Sequence, residues 1–226
     1  MIPVFIGYDE VEEGAFWTCA SSLLAHSSEP LQITPIKRTT LPLKRARHPK
    51  QSNEFAFTRW LIPYLQNYSG CGIFVDCDFL FMDDIAKLWF LRDTEKAVQV
   101  VKHPWDTFKE GKKYLGTEQT VYPKKCWSSL MLFNSEHPDC AKLTPEYIDA
   151  AEGLHLHQFE WAKEENVGEL PADWNYLVEH SPSSTNVRAV HYTEGGPYFQ
   201  AYKDTEFATE WWDAYRRMTY VLEGTT

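Results

Sequence analysis

The chain has 226 residues, 43% of them hydrophobic and 24% charged. This is ordinary globular usage and excludes disordered, collagen-like and coiled-coil architectures. At roughly 150 residues per domain the length suits one large domain or two small ones. No repeat or linker divides the chain, so a single domain over 1–226 is expected. Lys and Arg total 22 against 32 Asp and Glu, a formal charge of −10, which repels nucleic-acid backbones and anionic lipid; no nucleic-acid partner is expected.

The five cysteines are odd in number, widely spaced and without a CxxC pair, a pattern that fits reduced thiols better than a disulfide framework or zinc site. The opening Met1-Ile2-Pro3-Val4-Phe5-Ile6-Gly7 lacks a basic segment and meets Asp9, Glu10, Glu12 and Glu13 at once, unlike a signal peptide. No apolar run approaches the roughly 20 residues of a membrane span. No transmembrane segment and a cytoplasmic location are the expectations.

In chain order, Pro3 to Tyr8 reads as a buried strand. After an acidic turn, Ala15, Phe16, Cys19, Leu23 and Leu24 recur at helical spacing up to His26, and Leu31 to Ile36 reads as a second strand. A strand–helix–strand opening predicts an α/β layer fold with a largely parallel sheet. Lys37, Arg38, Lys44, Arg45, Arg47 and Lys50 follow with no acid between them; this is either a solvated loop or a rim for an anionic ligand.

Phe55 to Tyr64 predicts a helix burying Phe55, Trp60 and Leu61, which Pro63 kinks or ends. Ile73-Phe74-Val75 reads as a central strand leading into Asp76-Cys77-Asp78. Asp84 to Phe90 resembles a capped helix, and Ala97 to Val101 a strand. Residues 102–125 show no period and suggest an excursion over a site. Cys126 to Phe133 and Val187 to Tyr192 read as strands. Pro145 to Ala151, Leu154 to Ala162 and Glu206 to Leu222 read as helices, the last with Phe207, Trp211, Tyr215, Met218 and Leu222 inward.

The informative segment is Asp76-Cys77-Asp78, two carboxylates at the end of an apolar strand. Charges are seldom tolerated there unless something pairs with them. In extended chain, i and i+2 face the same way, so both acids converge, and each raises the cost of ionising the other. A hard divalent cation, Mg²⁺ or Mn²⁺, removes that cost and keeps positions open for phosphates. Near the end, His191 stands at a strand terminus before Gly195-Gly196-Pro197. Its imidazole favours Mn²⁺, and the glycines permit close approach of backbone N–H groups to a diphosphate.

With these motifs in place, the sequence resembles the metal-dependent nucleotide-sugar glycosyltransferases of GT-A fold. Within them it is most similar to the family-eight retaining enzymes, the group of glycogenin and bacterial lipopolysaccharide galactosyltransferases. The resemblance rests on Val4-Phe5-Ile6-Gly7-Tyr8-Asp9, Phe57-Thr58-Arg59-Trp60, Phe74-Val75-Asp76-Cys77-Asp78, Leu130-Met131-Leu132-Phe133-Asn134, Gln158, Leu170-Pro171-Ala172-Asp173-Trp174-Asn175 and His191. It implies a mixed, mostly parallel central sheet flanked by helices. It also implies a nucleotide-sugar donor, a UDP-sugar first among them, a glycan or other hydroxyl acceptor, and retention of configuration.

The implied metal ligands are Asp76, Asp78 and His191, for Mn²⁺ (or Mg²⁺). Tyr8 and Asp9 would hold base and ribose, with Arg59, Asp76, Gly195 and Gly196 on the donor. Gln158 and Arg59 would serve at the reacting centre. The family's Asp before the glutamine reads His157, its residues before the later strand read Cys126-Trp127-Ser128-Ser129, and its Lys-Pro-Trp reads Gly196-Pro197-Tyr198. The missing lysine leaves Lys203, Arg59 or the basic loop to face the diphosphate.

Two other classes compete. A phosphohydrolase of the haloacid dehalogenase type also uses Asp-x-Asp, but near its N-terminus and with Thr or Val where this chain has Leu80. A non-catalytic carbohydrate-binding protein would use the nine Trp and twelve Tyr residues as stacking faces, and would not need Asp76 and Asp78.

Overall fold

A computed structural model describes residues 1–47, 51–108, 111–112, 114–116, 118–119 and 121–219. The main sheet has the order β2 (Leu31–Lys37), β1 (Ile2–Tyr8), β3 (Cys71–Val75), β8 (Leu130–Asn134), β5 (Val98–Val100), β9 (Val167–Glu169). The pairings β1–β2, β1–β3 and β5–β9 are parallel, and β8 runs antiparallel to β3 and β5. The sheet is therefore mixed and mostly parallel, as expected. The central strands are buried on both faces, which is why Ile73-Phe74-Val75 and Leu130-Met131-Leu132-Phe133 are wholly apolar rather than alternating.

Helix α1 (Glu13–His26) lays Ala15, Phe16, Cys19 and Leu23 on this core. Helices α2 (Ile62–Leu65), α3 (Ile85–Trp89), α4 (Pro145–Ala150) and α5 (Gly153–His157) are short, and α6 (Ala208–Thr219) packs on α1. Asp84 caps α3, its carboxylate accepting from Ala86 N at 2.9 Å, as the sequence pattern predicts. A small sheet of order β10 (Tyr176–Leu177), β11 (Ala189–His191), β4 (Phe79–Phe81) stands beside the main one. β6 (Gly111–Lys112) and β7 (Glu118–Gln119) form a separate ladder within the 102–125 excursion.

Several expected helices and strands are shorter than predicted, each for a local reason. The Phe55–Tyr64 helix is a 3-10 turn over Thr58–Leu61 followed by α2. Pro63 opens α2 instead of ending a helix, because the first helical turn needs no N–H. Phe55, Trp60 and Leu61 are nonetheless buried. The Leu154–Ala162 helix stops at His157, and the left-handed backbone of Phe159 (φ 58) prevents its continuation. Cys126 is likewise left-handed (φ 62), so the strand expected from Cys126 begins at Leu130. Phe207 (φ 58) delays α6 to Ala208. Trp211 and Ala214 are its buried residues and Met218 is exposed, a correction to the inward set; Leu222 lies outside the described residues.

Candidate active site and metal centre

The site lies where the two sheets meet. β3 ends at Val75, and the next residue continues its ladder, Asp76 N donating to Ser129 O at 2.8 Å. In the small sheet His191 pairs in register with Phe79, and Tyr192 N donates to Asp78 O at 3.0 Å. The antiparallel ladder thus carries an imidazole from more than a hundred residues away to the Asp-x-Asp turn. Asp76, Asp78 and His191 each offer one ligand atom, and these atoms lie within 4.8 Å of one another. The His191 ring stacks on Phe79 with centroids 4.4 Å apart, and its Nε2 is 3.5 Å from Asp78 Oδ1.

Asp76 is buried, and burial pushes its carboxyl up to about 7; the Arg59 guanidinium pulls it down and the Asp78 charge pushes it up. Arg59 Nη1 is 2.8 Å from Asp76 Oδ1 and donates to Ser128 O at 2.8 Å, while Nε donates to Phe55 O at 3.3 Å. A buried guanidinium thus stands against the first acid of the pair. Two carboxylate oxygens and one imidazole nitrogen suit a divalent ion such as Mn²⁺ or Mg²⁺, so the residues present fit the metal the sequence implies.

Tyr8 and Asp9 line a cavity of about 320 Å³ with Lys37, Arg38, Arg47 and Glu54. Both Asp9 oxygens already accept from backbone, Val11 N and Glu54 N, each at 3.0 Å. The described part of the basic loop, up to Arg47, is pinned at Arg38, Arg45 and Arg47. Arg38 and Arg47 pair with Glu54, and Arg45 donates to Ile148 O (2.6 Å) and Ala151 O (3.0 Å) at the end of α4, over the face of Phe57. Pro49 and Lys50 lie outside the described residues. Lys203 is paired with the neighbouring Asp204, and among the described cations considered for the diphosphate Arg59 is the one in contact with the triad, at 2.8 Å from Asp76 Oδ1.

Gln158 caps α5 and lines a second cavity of about 600 Å³ with Tyr147, Glu152, Leu154, His155 and Glu160. Its neighbour His157 reaches the site: His157 Nδ1 is 2.8 Å from Ser128 Oγ, and burial together with Arg59 lowers its pKa to about 3, so the ring is neutral. Gly195 has φ 136, where a side chain is strained. A Cβ on Gly196 would lie 2.3 Å from Tyr198 Cε1, so the packing of Tyr198 alone requires glycine there.

Four further residues at the site lie outside the set that the sequence assigns to it. Glu12, read as part of an acidic turn, is buried and accepts from Tyr198 Oη at 2.7 Å. His103 is buried beside His191 and Asn175, and burial, with the nearby His191, lowers its pKa to about 3. Tyr122 sits near Arg59 and Asp76; burial, with the nearby Cys126 and Asp76, raises its phenol against the opposing pull of Arg59. Asn175 is fully buried with its Oδ1 2.9 Å from His191 Nδ1. Of these, Asn175 alone had a signal, as part of a motif; His103 and Tyr122 fall at the two ends of the aperiodic excursion, which does border the site.

No protein-family model matches the chain. Over 217 residues it is 43% identical to Protein CDI of Arabidopsis thaliana, which covers 92% of this chain and 83% of that protein. The chain belongs to the Protein CDI family. Among solved structures, this CDI-family chain is similar to the bifunctional glycosyltransferase WbbM, with a TM-score of 0.69 at 15% identity. That likeness covers 95% of this chain but 49% of WbbM, so the chain spans about half of it. The galactosyltransferase LgtC, solved with donor and acceptor sugar analogues, gives 0.65 at 12% identity over 98% of both chains. GlyE of Streptococcus pneumoniae gives 0.64 at 14%, over 95% of this chain and 60% of GlyE. The CDI-family fold is therefore the GT-A fold of these glycosyltransferases. No helix among its described residues is long and apolar enough to cross a membrane.

Proposed function

We propose that this chain transfers a sugar from a nucleoside diphosphate-sugar, a UDP-sugar first, to a hydroxyl of a glycan or other acceptor, with retention of configuration. The convergence of Asp76, Asp78 and His191 within 4.8 Å at the junction of the two sheets is the observation that carries the reading. A bound Mn²⁺ (or Mg²⁺) would supply neutralisation of the charge that gathers on the leaving diphosphate.

The chain's own groups prepare that site. Arg59, held by Ser128 O and Phe55 O, keeps the Asp76 carboxylate in place and adds a fixed positive charge beside the leaving group. Tyr8 and Asp9, with Lys37, Arg38 and Arg47 around the 320 Å³ cavity, would receive the base and ribose. The backbone at Gly195 and Gly196 would approach the phosphates. Gln158 near the anomeric carbon rests on the family resemblance, and the neutral His157 ring orients Ser128 beside Arg59. We propose that the whole of 1–226 acts as one catalytic unit. A cytoplasmic setting is supported by the five cysteines, all of them free.

A thermal-shift screen of nucleotide sugars with and without Mn²⁺ tests this reading. A ligand that raises the melting temperature only with metal is expected, by mass action on the folded state. No shift with any sugar nucleotide would reject it.

A further inference from the structure

Asn175 bridges the two arms of the metal site, and the hydrogen bonds around it fix which way its amide faces. Ser129 Oγ lies 2.6 Å from Cys126 O. A carbonyl only accepts, so the single hydroxyl proton points there. The same Oγ is 2.9 Å from the Asn175 amide and must accept from it, which places Nδ2 on that side. Nδ2 also lies 3.4 Å from Cys126 O, again a pure acceptor.

The amide oxygen is thereby turned to His191 Nδ1 at 2.9 Å. An amide oxygen cannot donate, so Nδ1 carries the ring proton. In the neutral ring Nε2 then holds its lone pair toward Asp78 Oδ1, 3.5 Å away. Meanwhile Ser129 O accepts from Asp76 N at 2.8 Å. One serine thus holds the backbone of the first ligand and, through Asn175, the ring of the last. Ser129, Asn175 and His191 are all buried, so water does not compete.

We propose that Asn175 is a positioning residue that locks His191 in the Nδ1–H tautomer, leaving Nε2 bare for a divalent cation before the ion arrives. The purpose assigned to the lock rests on the metal reading above; the lock itself rests on the hydrogen bonds. Outer partners of this kind orient a ligating histidine and raise its basicity.

The test uses the whole 226-residue chain, metal-free, at about pH 8, above the ordinary histidine range. Long-range ¹H–¹⁵N correlation should give His191 a pyrrole-type nitrogen at Nδ1 and a pyridine-type nitrogen at Nε2. Asn175→Leu should move ring protonation toward Nε2 and weaken Mn²⁺ binding, measured by electron paramagnetic resonance titration, roughly 10- to 100-fold. Asn175→Asp, which keeps an acceptor opposite Nδ1, should restore the tautomer.

A wild-type ring protonated on Nε2 would overturn the proposal. So would an unchanged tautomer and Mn²⁺ affinity in Asn175→Leu. A wild-type protein with the Nδ1–H tautomer that binds no Mn²⁺ would uphold the lock and remove the metal reading instead.

Discussion

Arg59 and Asp76 form a buried ion pair, Nη1 to Oδ1 at 2.8 Å, with 4% and 10% of their side chains exposed. The guanidinium also donates to Ser128 O and Phe55 O, so it is part of the wall and not a surface group poised to move. Removing one partner of such a pair strands the other charge in a low-dielectric interior. Arg59→Ala is expected to cost about 3–5 kcal/mol, read from urea unfolding. Wild-type stability in that variant would show that the pair holds nothing in place.

The carboxyl at 76 makes the metal-free protein sensitive to pH. Burial raises its pKa to about 7 in the folded chain, against an ordinary carboxylate value of 3.8. Between those values the folded chain binds more protons than the unfolded chain, so stability falls as pH rises through the window and levels off above it. The gap corresponds to at most about 4 kcal/mol. Asp76→Asn should flatten this component, and saturating Mn²⁺ should offset it above neutral pH. Parallel pH profiles for wild type and variant would contradict the assignment.

Gly196→Ala should be destabilising by about 1–3 kcal/mol, because the new methyl would displace the partly buried Tyr198 ring and its 2.7 Å bond to Glu12. Differential scanning calorimetry of the metal-free protein isolates this packing effect from any role at a diphosphate. An unchanged melting temperature would mean that Tyr198 yields without cost.

Within the described part of the basic loop, Arg38 and Arg47 pair with Glu54 and Arg45 holds the end of α4, whereas Lys44 is exposed. Arg45→Ala removes the hydrogen bonds to Ile148 O and Ala151 O at the end of α4 and the stacking on Phe57, and should cost about 1–3 kcal/mol. Lys44 is exposed, and Lys44→Ala should stay within about 0.5 kcal/mol. Equal effects from the two substitutions, by chemical denaturation, would be inconsistent with the described contacts.

What could be read from the sequence was whatever depends on neighbours in the chain. The apolar runs of β1, β3 and β8 and the stripe of α1 announce the α/β layers, because burial on both faces leaves a continuous hydrophobic signature. The two acids after β3 stand out for the same reason. Less legible were features fixed by distant contacts. Helix ends set by left-handed backbone at Phe159 and Phe207 carry no glycine to mark them. Glu12 looks like solvated surface until Tyr198, 186 residues on, closes over it. Asn175 and Ser129 act through each other across 46 residues, and His103 enters the site from a stretch with no period.

Metal-dependent release of nucleoside diphosphate, followed by chromatography with UDP-sugars as donors, tests the proposed activity most directly. Wild-type protein should release it with Mn²⁺ and stop when a chelator is added. Asp76→Asn and Asp78→Asn should lose activity by at least about 100-fold, the order of loss when one charge-stabilising group is removed, while circular dichroism shows the fold intact. Undiminished release by both variants, or by wild type stripped of divalent metal, would contradict the claim that these two acids and His191 hold a catalytic cation.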